Sequence, residues 1–197
     1  MSEFGLSSDA FAHRDEIPRR HTCEGEDVSP SLSWSDPPTG TRSLALVVDD
    51  PDAPVGTFTH WLAWNIDPAA GGLGEGEPAP AEGRNDFGIG GWSRPCAPPG
   101  HGSHRYFFRL HALDAKLDVG FRAGRRELER ALASHLLATA ELMGGTSAER
   151  DRAARAAAAV APAPARIGKT NVARLAELLR GPMCGDRLPP TRAPRAR

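Results

Sequence analysis

Three carboxylates crowd one proline-bounded turn, Asp49-Asp50-Pro51-Asp52-Ala53-Pro54. Like charges this close repel, so such a turn calls for cationic or protonatable partners. The chain offers His60 and His104, with Tyr106 two residues beyond the second. A carboxylate beside an imidazole raises its pKa and fixes the direction of its N–H groups. Two such imidazoles and a phenol would present convergent donors, a chemistry suited to phosphate or carboxylate. Spacing alone leaves a second reading open, in which both histidines are half-buried strand residues satisfied by backbone.

Other chemistries are weaker on the same residues. Ser93, Cys96 and Ser103 lie between the histidines and could supply a nucleophile. The chain has no Gly-x-Ser-x-Gly elbow, however, and residue order alone defines no set of base, nucleophile and orienter. Clustered carboxylates can hold a hard cation, but this spacing does not fit an EF-hand loop, and such clusters more often cap turns. Gly168-Lys169-Thr170 imitates the end of a phosphate-binding loop, yet Ala163 stands where the first glycine belongs and no strand precedes it. No metal and no cofactor is expected.

The elements that would position these groups are strands. Leu44–Val48 is an apolar run ending in the acidic turn, where the prolines force the chain out of a sheet. Thr59–Ile66 reads as a central strand, with His60, Leu62, Trp64 and Ile66 on one face and Trp61 and Ala63 on the other. His104–Leu113 places His104, Tyr106, Phe108, Leu110 and Ala112 together, and Arg105, Phe107, Arg109 and His111 opposite. Leu32 and Trp34 mark a shorter strand, and Ile17-Pro18 could begin the first. Residues 67–103 are rich in Gly and Pro and contain no long element. Segments of this kind build binding-site walls or stay irregular. Leu128, Leu132 and Leu136 predict a helix from Arg125 to about Leu136. Trp61 and Trp64 fit core packing, and Trp92, in the loop, is expected to be partly exposed. His13, His21, His101, His111 and His135 are expected at the surface or in packing roles.

The 197 residues carry 40% apolar and 25% charged side chains and a net charge of -1. Those proportions fit one soluble globular core. No apolar run reaches membrane-spanning length and no secretory signal is visible, which predicts a cytoplasmic protein. Cys23, Cys96 and Cys184 are odd in number and lack metal-like spacing, which predicts free thiols in a reducing compartment. Residues 148–197 hold eleven Lys or Arg and four Asp or Glu, a balance of +7, so the rest of the chain balances at -8. This tail is Ala/Pro/Arg-rich and reads as largely disordered, with a possible short helix at 171–180. Its charge would suit an acidic partner, but it contains no aromatic residue for base stacking and no nucleic-acid motif, so no specific nucleic acid is expected.

Five pieces, in order, resemble the phosphatidylethanolamine-binding proteins, in particular their bacterial Raf kinase inhibitor-like branch. They are Ile17-Pro18 with Thr22-Cys23-Glu24-Gly25; Asp27–Trp34; Ala45–Pro54; His60–Ile66; and Pro95-Cys96 with Pro98-Pro99-Gly100 and His104-Arg105-Tyr106-Phe107-Phe108. The resemblance implies a mainly β domain over residues 1–147: two antiparallel sheets with one or two peripheral helices, and 138–144 as a strand. It implies a pocket for phosphate, phosphoethanolamine or a phospholipid headgroup, built from Asp50, His60, the loop 94–100, His104 and Tyr106, with Asp52 as the turn's second carboxylate. Pro95 belongs to that loop. Arg94 stands where the family has glycine, and this long cation would either strengthen the site or fill it. Binding without turnover is the function implied, with Asp50 orienting His60 or His104. Regulation of a kinase or protease is what the family name suggests. A hydrolase or isomerase using His60 and His104 as acid and base is the rival, and a scaffold acting through the basic tail is a third. Monomer and homodimer both remain open.

Overall fold

In the computed structural model, residues 3–97 and 101–146 are described. The chain divides into two units, Met1–Ala156 and Ala157–Arg197. The proposed helix at 171–180, the glycine–lysine–threonine run, Cys184 and the basic tail lie outside the described residues.

The first unit is mainly β. A three-stranded sheet is formed by β1 (Gly5–Ser7), β2 (Leu32–Ser35) and β5 (Gly72–Leu73), in the order β1-β2-β5. The larger sheet contains β3 (Ser43–Asp50), β4 (Phe58–Ile66), β6 (Ala81–Glu82), β7 (Arg105–Leu113) and β8 (Leu136–Gly145). Its order is β6-β4-β3-β7-β8, and every pairing in both sheets is antiparallel. Among the described residues, a single α-helix, α1 (Arg125–Leu132), precedes β8.

β3 is buried along its whole length because both faces of the larger sheet are covered. Leu44, Leu46 and Val48 point into the core shared with the small sheet, among Trp34, Trp61, Tyr106, Phe108 and Leu110. Ala45 and Val47 point the other way, into a second cluster with Leu62, Trp64, Leu113, Leu128 and Leu132 of α1. Burying alternate residues on opposite faces is what a period of two demands when neither face meets water. β7 keeps the same rule, with Tyr106, Phe108, Leu110 and Ala112 all in the inter-sheet core.

The helix is shorter than its leucine spacing predicts. It stops at Leu132, and Leu136 opens β8, where it is exposed. Nine paired positions along β7 hold residues 136–145 as strand, an override of local helical periodicity by sheet pairing. The first strand forms at Gly5–Ser7, and Ile17 instead donates its N–H to the Gly145 carbonyl at the end of β8.

The cysteine expectation is overturned. Cys23 and Cys96 form a disulfide with a Cα–Cα distance of 5.6 Å across 73 residues of sequence. An odd cysteine count argues about parity and gives no information on proximity, and the fold brings these two segments side by side.

Candidate functional site

β3 ends with its alternation intact, so successive carboxylates of the acidic turn face different directions. Asp49 points to the α1 side, where it is 1% exposed and receives hydrogen bonds from Arg125 Nη1 (2.6 Å), Arg109 Nη1 (3.2 Å) and Thr59 Oγ1 (3.3 Å). Burial pushes its carboxyl above the ordinary range, and the two guanidinium groups oppose that push. Asp50 points the other way. Its Oδ1 accepts from the Asp52 N–H at 2.9 Å, closing the turn, and its Oδ2 accepts from His104 Nδ1 at 2.7 Å. Asp52 accepts three hydrogen bonds from Arg105: the backbone N–H (3.0 Å), Nε (2.8 Å) and Nη2 (2.7 Å). This bidentate grip lowers its pKa to about 2.

The Asp50–His104 pair lies at the start of β7. A carboxylate oxygen can only accept, so Nδ1 carries the proton and Nε2 is the remaining ring atom. His104 is 1% exposed, and Nε2 has no hydrogen-bond partner among the described residues. His60 reaches the same place from β4 through an irregularity in the ladder. Val48 pairs with Trp61 and Asp49 with Thr59, leaving His60 at a bulge. A bulge re-aims the side chain it contains. The His60 ring therefore packs edge-on against Tyr106 at 5.2 Å, while Leu62 and Trp64 lie beneath α1. This corrects the reading that put His60, Leu62, Trp64 and Ile66 on one face. A second shift near Asn65, whose φ is +58°, returns Ile66 to the inter-sheet core.

His60 Nδ1 donates to the Ser93 carbonyl at 2.6 Å. Burial lowers its pKa, against the opposing pull of that carbonyl and of Asp50 and Asp86. Asp50, His60 and His104 form the polar lining of a cavity of about 220 Å³. Ala53 and Pro54 of the acidic turn and Cys96 form its sides, and Val55, Phe58 and Phe87 its apolar rim. Val55 is 84% and Phe87 47% exposed, an unusual degree of exposure for large apolar groups.

Tyr106, Arg94 and Pro95, also expected at the site, are not among the residues that line this cavity. Tyr106 is fully buried behind His60. Arg94 is solvent-exposed with Nε 4.0 Å from Asp27 Oδ2. Burial still holds the Asp27 carboxyl above its usual range. Pro95 is buried, and its carbonyl accepts from the Cys23 N–H at 3.3 Å. Of the loop 94–100, residues 98–100 lie outside the described residues.

Asn85 was not singled out by the sequence, yet it organises the wall. Its Nδ2 donates to the carbonyls of His60 (3.3 Å) and Gly91 (3.2 Å) and to Ser93 Oγ (2.8 Å). Its Oδ1 accepts from the N–H groups of Phe87 (3.0 Å) and Ile89 (3.3 Å). Asp86 beside it accepts from the Thr59 N–H at 2.7 Å. Positive φ values at Gly88 and Gly91, both +83°, let the chain curl around this amide. The signal was present in Asn85-Asp86-Phe87-Gly88, a turn-forming polar pair next to a glycine.

The chain matches the family described as phosphatidylethanolamine-binding protein over residues 7–147. A UPF0098 protein of Pyrococcus horikoshii is 44% identical over 146 residues, covering 70% of this chain and 73% of that protein. A UPF0098 protein of Methanothermobacter thermautotrophicus is also 44% identical, with 71% and 95% covered. Among solved structures, a protein from Chlamydia trachomatis described as a phosphatidylethanolamine-binding protein homolog superposes with a TM-score of 0.71 at 37% identity, covering 75% of this chain and 99% of its own. Escherichia coli YbcL, described as a member of the mammalian family of that name, gives 0.69 at 32% identity, covering 74% and 99%.

Proposed function

This chain belongs to the phosphatidylethanolamine-binding protein family, and from that premise we propose that it binds a small anion in the Asp50–His60–His104 cavity without transforming it. The observation that carries the proposal is His104. Leaving a buried polar atom unmatched costs about 1–3 kcal/mol. His104 Nε2 is such an atom, held at a fixed angle by Asp50 and bordering an open cavity. In the imidazolium form both ring nitrogens donate, so an anionic ligand oxygen that accepts from Nε2–H while Nδ1–H stays on Asp50 removes that cost.

The chemistry of the ligand is set by the walls. Phosphate, phosphoethanolamine and a phospholipid headgroup share an anionic oxygen cluster that suits two imidazoles. At about 220 Å³ the cavity is smaller than the roughly 300–1,000 Å³ of drug-sized sites. It therefore takes a headgroup, with any apolar substituent leaving across Val55, Phe58 and Phe87. The absence of turnover is supported by the groups nearby. The Asp50–His104 pair has the geometry of an orienter and a base, but Cys96 is in a disulfide, and Ser93 Oγ is buried and bonded to Asn85. No nucleophile completes the set among the described residues lining the cavity.

Titration with inorganic phosphate and phosphoethanolamine, followed by the His60 and His104 ring resonances, tests this reading. Both rings should respond together, and His104→Ala should weaken binding at least about tenfold, the loss of one charge-assisted hydrogen bond. Silence of both rings at millimolar ligand, or phosphomonoester hydrolysis that vanishes in His104→Ala, would overturn it.

A further inference from the structure

The disulfide borders the cavity. Cys96 forms part of the lining that also contains His104, and with Cys23 it lines a second, smaller cleft of about 30 Å³. Cys96 is exposed and Cys23 half-buried, so the bridge is open to a reductant. Residues 91–97, of which Cys96 lines both clefts, form no strand or helix. Their near end is fixed by Asn85, bonded to Gly91 and Ser93, and by His60, bonded to the Ser93 carbonyl. Their far end is fixed by the disulfide, by the long Cys23 N–H to Pro95 carbonyl hydrogen bond of 3.3 Å, and by Asp27, which lies 4.0 Å from Arg94 Nε. Among the described residues, the one covalent tie of this wall to the N-terminal segment is therefore Cys23–Cys96.

We propose that the Cys23–Cys96 disulfide is a redox latch on the ligand cavity: intact, it holds the wall against His60, and its reduction loosens the wall and weakens ligand binding. The proposal rests on the anion-binding reading for its effect on affinity, but not for its effect on the wall. The reductant is a dithiol. One of its thiolates attacks a bridge sulfur, giving a mixed disulfide, and its second thiol resolves that intermediate. Two electrons and two protons pass to the protein, which leaves Cys23 and Cys96 as thiols and the reductant as a disulfide. The core strands have ties of their own. β3, β4, β7 and β8 are held by ladders and two buried clusters. A latch, unlike a structural staple, should open locally while those strands stay folded.

The test uses the full chain with Cys184→Ser, so that the third cysteine cannot exchange. Backbone amides and the His60 ring are followed by NMR with and without dithiothreitol, before and after inorganic phosphate is added. A Cys23→Ser/Cys96→Ser form serves as the permanently open state. Reduction should shift the His60 ring and speed amide exchange at residues 92–97 without ligand, leave the amides of β3 and β7 in place, and weaken phosphate binding about tenfold. The open variant should match the reduced protein. An oxidised protein that takes no phosphate sinks the anion reading, and the ligand-free His60 shift then decides the latch by itself. The latch is overturned if the His60 ring and the 92–97 amides are unchanged on reduction. It is also overturned if the β3 and β7 amides collapse with them, since the bridge would then be a structural staple, or if reduced and oxidised proteins bind phosphate equally.

Discussion

Asp49, Asp50 and Asp52 stand within four residues and face different partners: Arg109 and Arg125, then His104, then Arg105. Strand alternation separates Asp49 from Asp50, and the proline turn swings Asp52 out to Arg105. The charges of the turn are thus divided between stability and binding. Asp49 is almost fully buried between two arginines, so removing both cations strands a charge. The Arg109→Ala/Arg125→Ala double variant should lose about 3–5 kcal/mol in chemical denaturation, while phosphate affinity stays near that of the unmodified protein. His60 gives a prediction of the opposite kind. Burial lowers its pKa, so the free site holds it neutral near pH 7, whereas an anion favours the imidazolium. Binding therefore takes up a proton, and affinity must rise as pH falls toward the lowered value of the free site. Sulfate isolates the effect, because its own charge is constant over that range. Calorimetry from pH 7.5 to 5.5 should show tightening, and His60→Gln should flatten the slope. The sequence brought Asp50, His60 and His104 forward as candidates by residue type, but spacing alone left the histidines between pocket and strand packing, and it was the family resemblance that pointed to the pocket. The sequence did not show which histidine Asp50 holds, nor that Arg105, Arg109 and Arg125 answer the other two carboxylates. Alternation tells which way a side chain points, and not what lies across from it.

At the scale of elements, the same limit explains where periodicity misled. β7 obeys a strict period of two and was readable throughout. β4 contains two irregularities, at His60 and near Asn65, and each reverses the facing of the residues beyond it. A bulge is set by how two strands twist past each other, so it leaves only faint local marks. The helix ended early for a related reason: β8 had a partner waiting in β7, and pairing over nine positions outweighs one further turn of leucines. The wall of the cavity depends on a device of the same scale. The Asn85 amide ties residues 87, 89, 91 and 93 to the His60 end of β4. Asn85→Ala removes every one of those hydrogen bonds and leaves buried backbone groups unmatched. The expected outcome is fast amide exchange at Phe87 and Ile89, which lose their acceptor, and weaker phosphate binding through a displaced Ser93 carbonyl. The ladders of β3 and β7 should keep their protection. Slow exchange at Phe87 and Ile89 in this variant would show that the loop is held by something other than the amide.

For the whole molecule, the acid side of the stability curve should be built from two limbs with different owners. His111 sits on the outer face of β7, its Nδ1 2.9 Å from Thr139 Oγ1, and burial with Arg109 nearby pushes its pKa down to about 4 from 6.5. The unfolded chain therefore takes up that proton first as pH falls. Stability must drop between about pH 6.5 and pH 4 and then level off with respect to this group. His60, also lowered by burial, adds to the same limb with the same sign. Asp52 works in the next window. Its carboxylate is favoured in the fold by Arg105, with a pKa of about 2 against 3.8, so its contribution is present above pH 4 and disappears as pH falls toward 2. Asp49 runs against the first limb instead, since burial raises its pKa above 3.8 and the fold takes up that proton as pH falls toward 3.8, relieving the burial of its charge. The two windows barely overlap, which makes them separable by substitution. Thermal melts from pH 7.5 to 2 should show His111→Gln shrinking the upper fall while leaving the lower one, and Asp52→Asn doing the reverse. A His111→Gln variant whose melting temperature still falls as steeply from pH 6.5 to 4 would place that limb on His60, and adding His60→Gln must then remove it.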